Sequence, residues 1–84
     1  MTVVETTTLY QIPAGRSAVI QRSSADPSLN RRFRELGLRT GAQVHVVQKT
    51  AGGGRMVKVR NTVYALDSYA LKHITVSPAG EVGK

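Results

Sequence analysis

The side chains able to do chemistry in this 84-residue chain are two histidines, five carboxylates, scattered hydroxyls and twelve Lys and Arg; cysteine is absent. A metal site wants ligands in close spacings such as H-x-x-x-H or H-E-x-x-H. Neither His45, which alternates with valines, nor His73 falls into such a pattern, so ordinary surface or half-buried histidines are expected, with no metal and no cofactor. Catalysis fares no better. No Ser or Thr stands in sequence beside a matching His and acid, and so short a chain leaves little cleft from which to exclude water. The run Gly52-Gly53-Gly54 lacks the Lys-Ser/Thr of a phosphate-binding loop and reads as a tight strand connection. The expectation is a binding module, not an enzyme.

What remains is positive charge. Twelve basic against five acidic residues give a formal net charge of +7, which suits nucleic acid, anionic lipid or an acidic protein face. The basic residues run from Arg16 to Lys84, so part of the excess serves simply as solvated surface. Arg31, Arg32, Arg34 and Arg39 are candidates for an arginine supplied in trans to a GTPase, where a guanidinium stabilises charge on a transferring phosphoryl group. The plainer reading of an Arg-rich exposed helix face is solvation. Nucleic-acid binding is the rival class, but Tyr10, Phe33, Tyr64 and Tyr69 are the whole aromatic set, and no strand carries the closely spaced rings of a base-stacking platform.

The elements that must position these groups follow from pattern. Residues 1–8 read as an extended, Thr-rich entry, and Pro13-Ala14-Gly15 as a turn. Ser17 to Arg22 is a short β-favouring run. Asp26-Pro27 looks like a helix cap and first position; Leu29, Phe33 and Leu36 recur on one helical face and Gly37 closes the helix. Strands are expected over AQVHVVQK, RMVKVR and VYAL, the first two joined through the glycine run and the last two through Asn61-Thr62. Asp67 caps one helical turn through Lys72, Ile74 and Val76 form a last strand, and residues 78–84 are a tail. The domain spans 9–77. The N-terminus has no basic and apolar leader, no stretch of about 18 apolar residues exists, and the lack of cysteine suits a reducing compartment, so a cytoplasmic protein is expected.

The segments LYQIPAGRSAVIQR, RRFRELGLRTGAQVHVVQK and GGGRMVKVRNTVYALDSYALKHITV together resemble the FeoA family, the small SH3-like partner of the bacterial ferrous iron permease FeoB. Leu36-Gly37-Leu38 with Gly41, and Tyr64-Ala65-Leu66, carry the likeness most specifically. The resemblance implies a mainly β fold: a small SH3-like five-stranded barrel, one helix in the first long connection and a short helical turn before the last strand. It further implies a cytoplasmic accessory that binds the GTPase-coupled permease and touches the membrane only through it, with no nucleic acid. The C-terminal module of some metal-dependent repressors is also similar, but those proteins carry a helix-turn-helix domain upstream, and a free-standing protein is the expectation here. In an SH3-like barrel the docking groove lies between the first long connection, the loop at Ala51–Gly54 and the turn at Asp67–Lys72. Arg31, Arg34, Leu38, Arg39, Tyr69 and Lys72 are therefore its candidate residues, unless Leu38 and Tyr69 only seal the barrel ends. Barrel edges and apolar grooves also pair with copies of themselves.

Overall fold

A computed structural model describes residues 6–23 and 27–78. The strands are β1 (Thr7–Thr8), β2 (Ser17–Ser23), β3 (Gln43–Lys49), β4 (Arg55–Val59), β5 (Thr62–Leu66) and β6 (Ile74–Pro78), and the helices are α1 (Pro27–Glu35) and α2 (Ser68–Lys72). All pair antiparallel in one sheet of order β1-β6-β2-β3-β4-β5. Six strands replace the expected five because Thr7 and Thr8 pair with Val76 and Thr75. A two-residue strand is too short to show a period of two, so only the long-range pairing reveals it. Pro78, expected to open the tail, instead ends β6 opposite Ala18; Asp26, residues 1–5 and residues 79–84 lie outside the described residues.

The sheet curls around one core. Ala18 and Ile20 of β2, Val44 and Val46 of β3, Val57 and Val59 of β4, and Ile74 and Val76 of β6 are buried against Leu9, Ile12, Phe33, Leu38, Leu66, Ala70 and Leu71. Bulges interrupt β2–β6 between Ile20 and Arg22 and β3–β4 between Val46 and Gln48; each adds local twist, which helps the sheet wrap around the core. The β4–β5 turn is Arg60-Asn61, with Val59 opposite Thr62, so Thr62 belongs to the strand and not to the turn as the sequence suggested. Its β-branched side chain favours the ladder, and Arg60 takes up the positive φ of +57° that a two-residue hairpin turn demands.

Helix α1 is anchored by Phe33, 1% exposed, while Leu29 and Leu36 pack half-buried beside it. Its C-terminus is a complete Schellman motif. Gly37, at φ +86°, donates to Arg34 O (3.1 Å), and Leu38 N–H reaches back to Phe33 O (2.8 Å). The hydrophobic partners of that motif are Leu38 and Phe33, and both are buried. In α2, Asp67 accepts from Ala70 N–H at 2.8 Å, as its capping role requires.

Between β3 and β4 the chain makes a tight 3-10 turn, Ala51–Gly53, with Gly52 and Gly53 at positive φ. Gly54 is closed off differently: a Cβ there would lie 2.6 Å from Thr50 Oγ1 and 2.9 Å from the carbonyl oxygen of Leu66. Backbone cannot swing aside as a side chain can. Gly54→Ala is therefore expected to lose about 1–3 kcal/mol, seen as a lower urea midpoint with an unchanged slope.

Candidate functional site

The C-terminal end of α1 and the β4–β5 hairpin wall an open cleft of about 910 Å³. From the helix side come Arg34, Glu35, Leu36 and Gly37, then Arg39 to Gln43; from the sheet come Ser17, His45, Lys58 to Arg60, Thr62 and Tyr64. Four of these residues are cationic, Arg34, Arg39, Lys58 and Arg60, and all four are exposed. Glu35 is the one carboxylate among the lining residues. Among the described residues, four cations against one carboxylate leave the cleft lining with net positive charge. Ser17 and His45 face one another across β2 and β3, with Oγ and Nδ1 2.9 Å apart. That hydrogen bond fixes the imidazole at the cleft wall.

A second group forms at the other loops. Arg55, only 7% exposed, donates from its two terminal nitrogens to the carbonyls of Gly53 (2.9 Å), Gly54 (3.0 Å) and Tyr10 (3.2 Å), while its Nε has no partner. The guanidinium carbon also lies 4.6 Å from the Tyr10 ring centre, and Lys72 Nζ approaches the same ring at 4.8 Å. The quadrupole of the ring attracts both charges. On α2, Tyr69 is 55% exposed and lies against His73, ring centres 4.2 Å apart; His73 Nδ1–H donates to the Tyr69 carbonyl at 2.7 Å. Among the described residues, no three His, Cys, Asp or Glu come together as a metal site, and no helix is long and apolar enough to cross a membrane.

The FeoA domain model matches residues 7–78, nearly all of the described chain. The chain belongs to the FeoA family. FeoA of Stenotrophomonas maltophilia, solved with zinc and described as a procaryotic SH3 domain protein, is 35% identical, with a TM-score of 0.72 over 83% of this chain and 88% of that one. FeoA of Chlorobium tepidum is 28% identical, with a TM-score of 0.81 over 92% of this chain and 75% of its own. A manganese-dependent transcriptional repressor is 23% identical, with a TM-score of 0.82 over 94% of this chain and 45% of the repressor; that likeness is one of fold alone. No curated protein matches the chain. The mainly β, SH3-like architecture is thus that of FeoA proteins.

Within this FeoA domain the expected groove residues separate. Arg34 and Arg39 come together in the cleft, whereas Arg31 is exposed on α1 outside the lining residues. Tyr69 and Lys72 sit on α2, Lys72 with Tyr10 and Tyr69 with His73. Leu38 is 1% exposed and is the buried partner of Phe33 in the Schellman motif, as L-G-L after a helix requires; with Arg34 and Arg39 it also lines a smaller recess beside Pro27, Asn30 and Thr40. The connection at Arg31–Thr40 thus faces the β4–β5 hairpin in this cleft and not the loops at 51–54 and 67–72. Lys58, Arg60, Tyr10 and Arg55 were missed. Only Arg55 had a sequence signal, since it shares the inward register of Val57 and Val59.

Proposed function

We propose that this protein is a non-enzymatic cytoplasmic accessory of ferrous iron uptake, docking through protein–protein contacts onto the cytoplasmic part of the ferrous iron permease FeoB. The membrane is reached only through that partner. The observation carrying this reading is membership of the FeoA family across residues 7–78, supported by the 35% identical S. maltophilia FeoA, described as a candidate ferrous iron transport activating factor. The cleft supplies the means: exposed arginines at a fixed helix end give electrostatic complementarity and fast encounter with an acidic face.

Titration of the purified protein against the permease in detergent, at about 0.15 M salt to screen loose attraction, tests it. Saturable binding is expected, weakened about tenfold or more by Arg34→Glu with Arg39→Glu. Both side chains are exposed, so the thermal midpoint of the double variant should stay close to that of the wild type. A folded wild-type protein that fails to bind would sink the direct partnership.

A further inference from the structure

A sheet has two edges, and proteins ordinarily blunt both with short strands, charge, proline or bulges. Here the outer strands are β1 and β5. The first is only two residues long, which protects it. The second, TVYAL, has five residues, carries neither charge nor proline, and pairs with β4 in unbroken register. Thr62, Val63 and Ala65 are exposed, Val63 by 44%.

The register says which backbone groups are free. Around a two-residue turn the flanking residues exchange both hydrogen bonds, and every second pair repeats the pattern. With Val59 opposite Thr62, the bonded pairs are Val59/Thr62, Val57/Tyr64 and Arg55/Leu66. Val63 and Ala65 therefore turn their N–H and C=O groups away from β4, and β5 ends the strand order. This is a template for an added strand.

Charge then selects the occupant. Thr62 and Tyr64 of β5 line the same cleft as Arg34, Arg39, Lys58 and Arg60, so a segment laid along the edge runs into four cations at its Thr62 end. Arg60 also holds a φ of +57°, a backbone position where glycine is the relaxed choice; strain kept at a turn beside a cleft points to use of that side chain. A second copy of the chain would bring like charges together. A nucleic acid would answer the cations but has no peptide groups for the edge. We infer that β5 and the basic cleft together form one site for an acidic, extended segment of a partner protein, bound by strand addition. This deepens the accessory reading above and rests on it for the identity of the partner.

The probe is a capped decapeptide of alternating Val and Glu, titrated into ¹⁵N-labelled protein at about 0.15 M salt, with an alternating Val and Lys peptide and a ten-nucleotide RNA beside it. The acidic peptide is expected to slow amide exchange at Val63 and Ala65 by about tenfold or more. Lys58→Glu and Ala65→Pro should each weaken binding about tenfold, the proline because it removes an outward N–H without touching the ladder. If Ala65→Pro does not fold, amide protection and Lys58→Glu decide the matter. Absence of binding, binding without protection of Val63 and Ala65, tighter binding of the RNA or of the Lys peptide, or dimerisation through β5 would each overturn the proposal. Repeating the permease titration with Lys58→Glu separates the two readings. Undiminished binding there removes the edge site and leaves the accessory role, whereas a permease that never binds removes the accessory role while the peptide still judges the edge.

Discussion

Arg55→Ala is expected to be among the most destabilising single changes in this chain, costing about 3 kcal/mol. The guanidinium ties the Ala51–Gly53 turn, β4 and the Leu9–Gln11 turn into one unit through the carbonyls of Gly53, Gly54 and Tyr10. Gly54 O keeps a second donor, Thr50 N–H at 2.9 Å, so truncation strands chiefly the carbonyls of Gly53 and Tyr10. Both of these bonds are part-buried, so each carbonyl left without a donor costs toward the low end of about 1–3 kcal/mol, and contact with the Tyr10 ring is lost as well. Relief of the buried charge offsets part of this. In a domain of this size the change corresponds to a melting temperature lower by about 12–24 °C. Arg55→Lys should recover less than half, because an ammonium on a single point cannot fork to carbonyls on both sides. Chemical denaturation of the three proteins checks this, and equal stability of the alanine variant and wild type would show that the fork contributes nothing net.

Phe33→Ala is the second large effect, expected to cost about 3–5 kcal/mol. Phe33 is the only residue of α1 that is fully buried among those described, and it is also the inner half of the Schellman contact with Leu38. Its loss leaves a cavity and frees the helix end that holds Arg34 and Arg39 at the cleft. Binding should therefore weaken even below the unfolding transition, whereas Phe33→Leu, which keeps most of the volume, should retain it. A Phe33→Ala protein with wild-type affinity and stability would show that the helix end is held by the backbone bonds alone.

Local physics made most of the fold legible. Val44, Val46, Val57 and Val59 alternate as a sheet with one buried face must, and Leu29, Phe33 and Leu36 mark the inner stripe of a helix that Gly37 closes. The misses have a common cause in long-range geometry. Arg55 sits in an inward register, but its burial depends on the Tyr10 carbonyl, 45 residues away in the chain, and residue type alone argues for an exposed arginine. The joining of Arg34 and Arg39 with Lys58 and Arg60 depends on how the β4–β5 hairpin stands against α1, which no spacing encodes. The burial of Leu38, by contrast, was already written in Leu36-Gly37-Leu38, where the residue after a helix-ending glycine packs back on the last turn.

The position of β6 between β1 and β2 has a kinetic consequence. Thr7 finds its partner in Val76, and Ala18 finds one in Pro78, so β1 and β2 wait for a strand made after all the others of the sheet. Loop-closure entropy on that scale must be met before the pairing returns any stability, and small β-barrels with such connectivity fold in roughly milliseconds to seconds rather than microseconds. On the ribosome, the meander of β3, β4 and β5 can assemble early. The sheet is complete only when residue 78 has cleared the exit, and until then β2 has an open side where β6 will insert.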